Sequence, residues 1–185
     1  MRKFSFILIL CLSTVLAKAQ VPEDGYTPAG PSNQNFIMGS KFTLYDVENN
    51  FVPGVAGVFS YVLYEKGENQ SFSVGTNLGL AASFSNIGSL VHIDAPVLLQ
   101  ANFGAGSTKF SHIPVGVVVS AGLGNNFLHF FSHNEFSYGP MIDLGVRLEV
   151  FQKIYQISGS YMQNLNQDRL YMGPSIVNIG FGAIF

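Results

Sequence analysis

The sequence predicts an all-β protein: an eight-stranded antiparallel up-and-down transmembrane β-barrel, preceded by a cleaved signal peptide. Three observations carry this. From Phe36 to Phe185, apolar residues recur at every second position, which is the period of a strand with two unlike faces. Charged residues make up only 11% of the chain, less than half of the roughly 25% usual in soluble domains. Gly (20) and Phe (17) are both abundant, yet no long apolar run follows the N-terminal segment, so membrane crossing by helices is not expected.

The chain opens with Arg2 and Lys3, an apolar stretch from Phe4 to Leu16, and the small residues of Ala17-Lys18-Ala19. This is the layout of a secretory signal peptide over residues 1–19, cleaved after Ala19. The apolar stretch is short for a membrane-spanning helix, and Cys11 is poorly placed for lipidation because Leu10 precedes it. Cleavage removes that single cysteine together with Arg2, Lys3 and Lys18, leaving a more acidic chain with no disulfide or thiolate chemistry. The formal charge of -2 before cleavage gives no reason to expect nucleic acid as a partner. Residues 20–35, rich in Pro, Gly and polar residues, read as a flexible leader, and residues 36–185 as the barrel domain.

The strands follow in order. Phe36–Tyr45 sets Phe36, Met38, Phe42 and Leu44 opposite Gly39, Lys41 and Thr43. Val55–Tyr64 sets Val55, Phe59, Tyr61 and Leu63 opposite Ala56, Ser60 and Tyr64. Ser71–Phe84 is the clearest, with Phe72, Val74, Leu78 and Leu80 opposite Ser71, Ser73, Gly75, Asn77 and Gly79. Val91–Phe103 sets Val91, Ile93, Val97 and Leu99 opposite His92, Asp94, Gln100 and Asn102. Phe110–Leu123 sets Ile113, Val115, Val117 and Val119 opposite His112, Gly116 and Ser120. Pro140–Val150 sets Ile142, Leu144, Val146 and Leu148 opposite Asp143, Gly145, Arg147 and Glu149. Lys153–Met162 and Tyr171–Phe185 complete the set. Most connections are turn-like, so consecutive strands are antiparallel neighbours, and eight of them can close and abolish their edges. Asn125–Ser137 is the longest expected loop.

The continuous apolar face would overfill a narrow barrel. Turned outward into lipid, it leaves small and polar residues for the lumen. Closure is then mandatory, because unpaired backbone groups in lipid cost several kcal/mol each. Tyr61, Tyr155, Tyr161 and Tyr171 fall on the outward parity near strand ends, where such rings favour the membrane interface.

The final strand ends Phe181-Gly182-Ala183-Ile184-Phe185, with Phe185 on the lipid-facing parity. It resembles the closing strand of bacterial outer-membrane barrels. His112–Gly122 and Ala95-Pro96-Val97-Leu98-Leu99 resemble strands of the small eight-stranded outer-membrane barrels of Bacteroidetes-type bacteria, porin-like or OmpX-like proteins. The resemblance implies that Phe185 is an assembly signal read by the barrel assembly machinery. It also implies an outer-membrane location in a Gram-negative cell, with outer-membrane lipid as the surroundings. It transfers no catalytic residue and no cofactor.

An even number of strands puts both ends on one side, periplasmic after signal-peptide cleavage. Lys41, His92, Asp94, Asp143, Arg147 and Glu149 are expected to form a polar network in the lumen, since a narrow packed interior needs paired charges. A catalytic reading of Asp143, Arg147 and Glu149 finds little room for a substrate. Ser120 and His112 share a parity but are too far apart for acyl chemistry. His129 and His133 would share a helical face as a metal pair, but solvated loop histidines are the plainer expectation. The same stretch contains Phe127, Leu128, Phe130, Phe131 and Phe136, an apolar density expected to cap the mouth, touch lipid or dock a partner. The leading expectation is a non-enzymatic structural or accessory barrel, with membership of a larger outer-membrane complex as one form of that role. The alternative is a narrow pore or transport-related barrel for small ions or solutes, and an enzyme comes third.

Overall fold

The computed structural model describes residues 36–47, 50–85, 88–130, 133–166 and 173–185. The expected signal peptide and leader, as well as Phe131 and Tyr171, lie outside the described residues. Nine strand segments follow one another: β1 (Phe36–Val47), β2 (Asn50–Glu65), β3 (Gln70–Ser85), β4 (Gly88–Asp94), β5 (Val97–Gly104), β6 (Val115–Phe130), β7 (His133–Val150), β8 (Lys153–Gln163) and β9 (Ser175–Ile184). Every pairing is antiparallel between neighbours, and β9 returns to pair with β1 through Lys41↔Gly182 and Phe42↔Phe181. The sheet therefore has no edge around its circumference.

The barrel has eight strands because β4 and β5 are halves of one. Both pair with β3 on one side and β6 on the other. The break falls at Ala95-Pro96, where proline has no N–H to give to a ladder. The Ala95 N–H still reaches Asn125 O at 2.9 Å. Asp94, Pro96 and Leu98 are all buried, so the inward parity runs through the break.

Period two decides which side chains face out. On β7, Phe136, Tyr138, Ile142, Leu144, Val146 and Leu148 are exposed, while Ser137, Asp143 and Arg147 are buried. Phe59, Leu80, Leu99, Val117 and Phe181 continue the same exposed apolar wall around the barrel. A wall of this kind is a lipid-facing surface, and the fold is a transmembrane β-barrel.

Three expected boundaries move. Asn125–Ser137 is not a loop: β6 and β7 stay paired from Asn125↔Tyr138 through Phe127↔Phe136 to Phe130↔His133. Asn126, Leu128, Glu135 and Ser137 face inward, while Phe127 and Phe136 face outward, the two faces of a hairpin. The strand expected from Phe110 begins instead at Val115, because the preceding segment folds into the lumen. Tyr64, expected to point inward, is exposed. The β2–β3 register shifts between Val62 and Tyr64, so that Tyr64 lies opposite Phe72. The extra residue of a bulge re-aims the side chain after it, and Leu63 and Tyr64 both face out.

Val150 pairs with Lys153 across a tight turn. Phe151 and Gln152 both have positive φ, 50° and 60°, the backbone of a two-residue hairpin turn usually given to Asn-Gly.

Candidate functional site: the packed lumen and its plug

The barrel has two ends. At the first lie Phe36, Phe185 and the turns after β2, β5 and β7; at the second lie the β1–β2, β3–β4, β6–β7 and β8–β9 connections. Small inward residues leave room for long side chains to cross the lumen. At Gly79 an added Cβ would strike the Tyr45 hydroxyl, and at Gly124 it would meet Met141 Sδ at 3.1 Å and Met162 Cγ at 3.0 Å.

The middle of the lumen is polar. Lys41 Nζ lies 3.8 Å from Asp143 Oδ2 and donates to Ser158 Oγ at 3.1 Å. Asn77 Nδ2 donates to the same Asp143 oxygen at 3.1 Å. These contacts join β1, β3, β7 and β8 across the interior. Arg147, fully buried, donates from Nε to Gln156 Oε1 at 2.9 Å. A separate relay runs from Asn102 Nδ2 to Ser73 Oγ at 3.0 Å and on to Gln100 Oε1 at 3.1 Å, where Ser60 Oγ also donates at 2.7 Å.

The six residues expected to form one network are therefore distributed. Lys41 and Asp143 meet directly. Asp94 is buried on β4. His92 belongs to the second end, where its Nε2 donates to Asn126 Oδ1 at 2.9 Å and the Tyr45 ring packs edge-on at 4.7 Å. Arg147 turns toward the first end. Glu149 is half-buried at the first rim, and its backbone N–H donates to Pro114 O at 2.7 Å.

Two apolar clusters bracket this polar middle, and strand alternation alone does not reveal them. Toward the second end, Tyr45, Val52, Leu128, Met141, Met162 and Ile176 pack together. Toward the first end, Ile37, Val58, Val62, Ile154 and Ile184 do the same. They sit on the parity expected to be small and polar. Their signal was present as isolated large residues among small ones.

The segment between β5 and β6 completes the closure. Ala105, Ser107, Thr108 and Ser111 are buried, so residues 105–111 fold into the first mouth as a plug. Arg147 Nη1 donates to Gly106 O at 2.9 Å. Ser71 Oγ donates to Ser107 O, and Thr108 Oγ1 donates to Glu68 O. Ser111 Oγ lies 2.8 Å from Gly104 O and 3.0 Å from Asn69 Oδ1. Gly104 and Gly106, at φ of 70° and 66°, make the reversal that a residue with a Cβ would resist. An added Cβ at Gly106 would also meet Ile154 Cδ1 at 2.8 Å.

The expected aromatic loop is divided by the hairpin. Phe127 and Phe136 are an outward cross-strand pair, Leu128 is an inward member of the second-end cluster, and Phe130 is half-buried near the tip. His129 and His133 are not a helical pair but lie on facing strands, with His129 Nδ1 2.7 Å from Asn134 Oδ1. His112 is exposed outside the strands rather than inward, while Ser120 is buried beside Asp143 in register. Among the described residues, no three His, Cys, Asp or Glu side chains gather to hold a metal ion.

The fold is that of small outer-membrane barrels. Ail, the attachment invasion locus protein of Yersinia pestis, solved in complex with the heparin analogue sucrose octasulfate, aligns with a TM-score of 0.52. Its identity is 11%, over 82% of this chain and 97% of Ail. Neisserial surface protein A aligns with a TM-score of 0.51 and 12% identity, over 82% of this chain and 96% of that protein. No family model matches the sequence, and no curated protein does.

Proposed function

We propose that this protein is a non-enzymatic structural or accessory barrel of the bacterial outer membrane, with its lumen serving as a core rather than a conduit. The observation that carries this is closure at successive levels: an apolar cluster toward each end, a cross-linked polar middle and a plug in the first mouth. Water passes poorly through a lumen filled by side chains, which favours the structural reading over the narrow-pore alternative. The wall, the rims and the N-terminal leader are left to do the work, which suits a subunit of a larger outer-membrane assembly.

We place both chain ends in the periplasm, a reading supported by the even strand number and the expected signal peptide. Phe185, outward on the closing strand, fits the signal read by the barrel assembly machinery. The Bacteroidetes-type affinity rests on the His112–Gly122 and Ala95–Leu99 resemblance. Ail's heparin analogue is polysulfated and calls for clustered cations. Among the described residues the second end has no Lys or Arg, since Lys41 and Arg147 are buried and Lys66, Lys109 and Lys153 lie at the first end.

Planar-bilayer recording on the purified barrel tests closure: no stable single-channel steps are expected, and sustained openings would overturn the reading. Native gel migration of the tagged chain, extracted mildly from its own membrane, tests the subunit role. Migration within a discrete larger complex is expected, and migration as a lone barrel would reduce the role to a solitary structural one.

A further inference from the structure

Two thioethers and one imidazole meet in the second-end half of the lumen. Met141 and Met162 are cross-strand partners on β7 and β8, and both are buried. They lean the same way. A Cβ built on Gly124 of β6 would lie 3.1 Å from Met141 Sδ and closer still to Met162 Sδ, so the two sulfurs converge on one glycine. Gly124 is in register with Gly139, also buried, and the lack of side chains at both gives the sulfurs their room. Leucine would fill the same space with methyl groups alone; a thioether adds a soft, polarizable lone pair.

His92 is the third group. Its Nε2 bonds Asn126 Oδ1 at 2.9 Å. A carbonyl oxygen only accepts, so Nε2 holds the proton and Nδ1 presents a lone pair. That Nδ1 is buried with no hydrogen-bond partner among the described residues, whereas buried nitrogens of native interiors are ordinarily satisfied. The same Asn126 amide donates from Nδ2 to Met162 Sδ at 3.3 Å. One amide therefore ties the imidazole to a thioether. The Tyr45 ring, edge-on to His92 at 4.7 Å, packs in the cluster that holds both methionines. Asp94, in register with Asn126, keeps one buried carboxylate oxygen, Oδ1, without a partner.

From this we propose that the second-end half of the lumen binds a soft monovalent cation, copper(I), with Met141 and Met162 as thioether ligands and His92 Nδ1 as the nitrogen ligand. Thioethers select Cu(I) over hard cations, and imidazole suits copper. A ligating histidine generally donates its other N–H to a fixed acceptor, which orients the ring; Asn126 occupies that place. All three ligands are neutral, and the Asp94 carboxylate brings negative charge to the neighbouring level, as a buried cation requires. An ion held here, beside the Lys41–Asp143 pair and above the plug, is stored by the barrel rather than passed through it.

Silver(I), a diamagnetic stand-in for copper(I), is titrated into the refolded full barrel carrying isotope-labelled methionine methyl groups and histidine rings. Met38 lies on the outer wall and serves as the internal control. The expected result is saturation at a single ion, with the Met141 and Met162 methyl resonances and the His92 ring resonances moving together while Met38 stays in place. Competition against a chromogenic chelator then measures the copper(I) affinity. M141L/M162L conserves volume and should give the same heat-shifted folded band on gels but lose the binding. N126A, which frees the His92 ring, should weaken it about 10–100-fold. H129Q/H133Q, at the hairpin tip, should leave it unchanged. Methyl resonances of Met141 and Met162 that do not respond to silver in the unmutated barrel overturn the site and leave the two side chains as packing. Copper(I) affinity that survives in M141L/M162L, or that disappears in H129Q/H133Q, overturns it equally, because the ion then sits elsewhere.

Discussion

Arg147 and Gly106 are joined inside the barrel: the guanidinium Nη1 of a β7 residue donates to a plug carbonyl at 2.9 Å, while its Nε holds Gln156 at 2.9 Å on the neighbouring strand. One buried cation thus fixes both the wall and the stopper. Hydrogen bonds from charged groups contribute about 1.5–3 kcal/mol each. R147Q should therefore lower stability in detergent by about 2 kcal/mol or more and speed tryptic cleavage after Lys109. R147K keeps the charge but not the fork and should fall between. Urea titration and timed proteolysis read both. An unchanged cleavage rate in R147Q would show that the plug is held by Ser71, Glu68 and Asn69 alone.

The Lys41–Asp143 pair is expected to matter through what its loss strands. Removing one partner of a buried pair typically costs about 3–5 kcal/mol, because the other charge stays buried. K41M should show that loss, and K41M/D143N should recover a large part of it, since Asn77, which donates to Asp143, can then pair with a neutral amide. A double-mutant cycle by urea unfolding checks this. Strictly additive losses would mean that the two charges are independent.

Glycines on opposite faces of the wall should respond oppositely. At Gly79 a Cβ runs into the Tyr45 hydroxyl, whereas at Gly159 the nearest atom is Asn178 O at 3.9 Å. G79V is expected to lose about 1–3 kcal/mol by overpacking and to lower the temperature at which the folded band disappears on gels. G159A should stay within about 0.5 kcal/mol of the parent. Equal effects would argue that the Tyr45 crossing is not rigid.

The β6–β7 hairpin should be rigid to near its tip. Amides of residues paired between Asn125↔Tyr138 and Phe127↔Phe136 should exchange slowly with deuterium, at rates closer to the mid-wall than to a loop. Rapid exchange across 125–137 would restore the loop that composition suggested.

The parity of the wall was legible because membrane and lumen impose opposite demands at every second residue. Leu144 and Asp143 have no alternative faces once β7 is a strand. The departures have physical causes that period two does not encode. Pro96 interrupts the ladder but not the parity, so one strand becomes two. The Val62–Tyr64 bulge adds a residue to one side of a pair, and nothing about Tyr64 itself announces it. Ala105, Gly106, Ser107, Thr108 and Ser111 are small enough to turn into the lumen, whereas Phe110 and Ile113, which suggested a strand, stay outside it. At 125–137, Asn and His residues gave the composition of a loop, although Phe127 and Leu128 already pointed to opposite faces. Lys41 and Asp143 could be placed inside the lumen from sequence, but the reach of Arg147 to a loop carbonyl depends on a backbone path that only the fold supplies.

The plug has a consequence at the scale of the whole envelope. On the proposed closed lumen, the barrel's copy number is separated from permeability: a membrane could be crowded with such molecules without becoming leakier to nutrients, detergents or antibiotics. Its abundance is then limited by the bilayer area it occupies rather than by what it would let through.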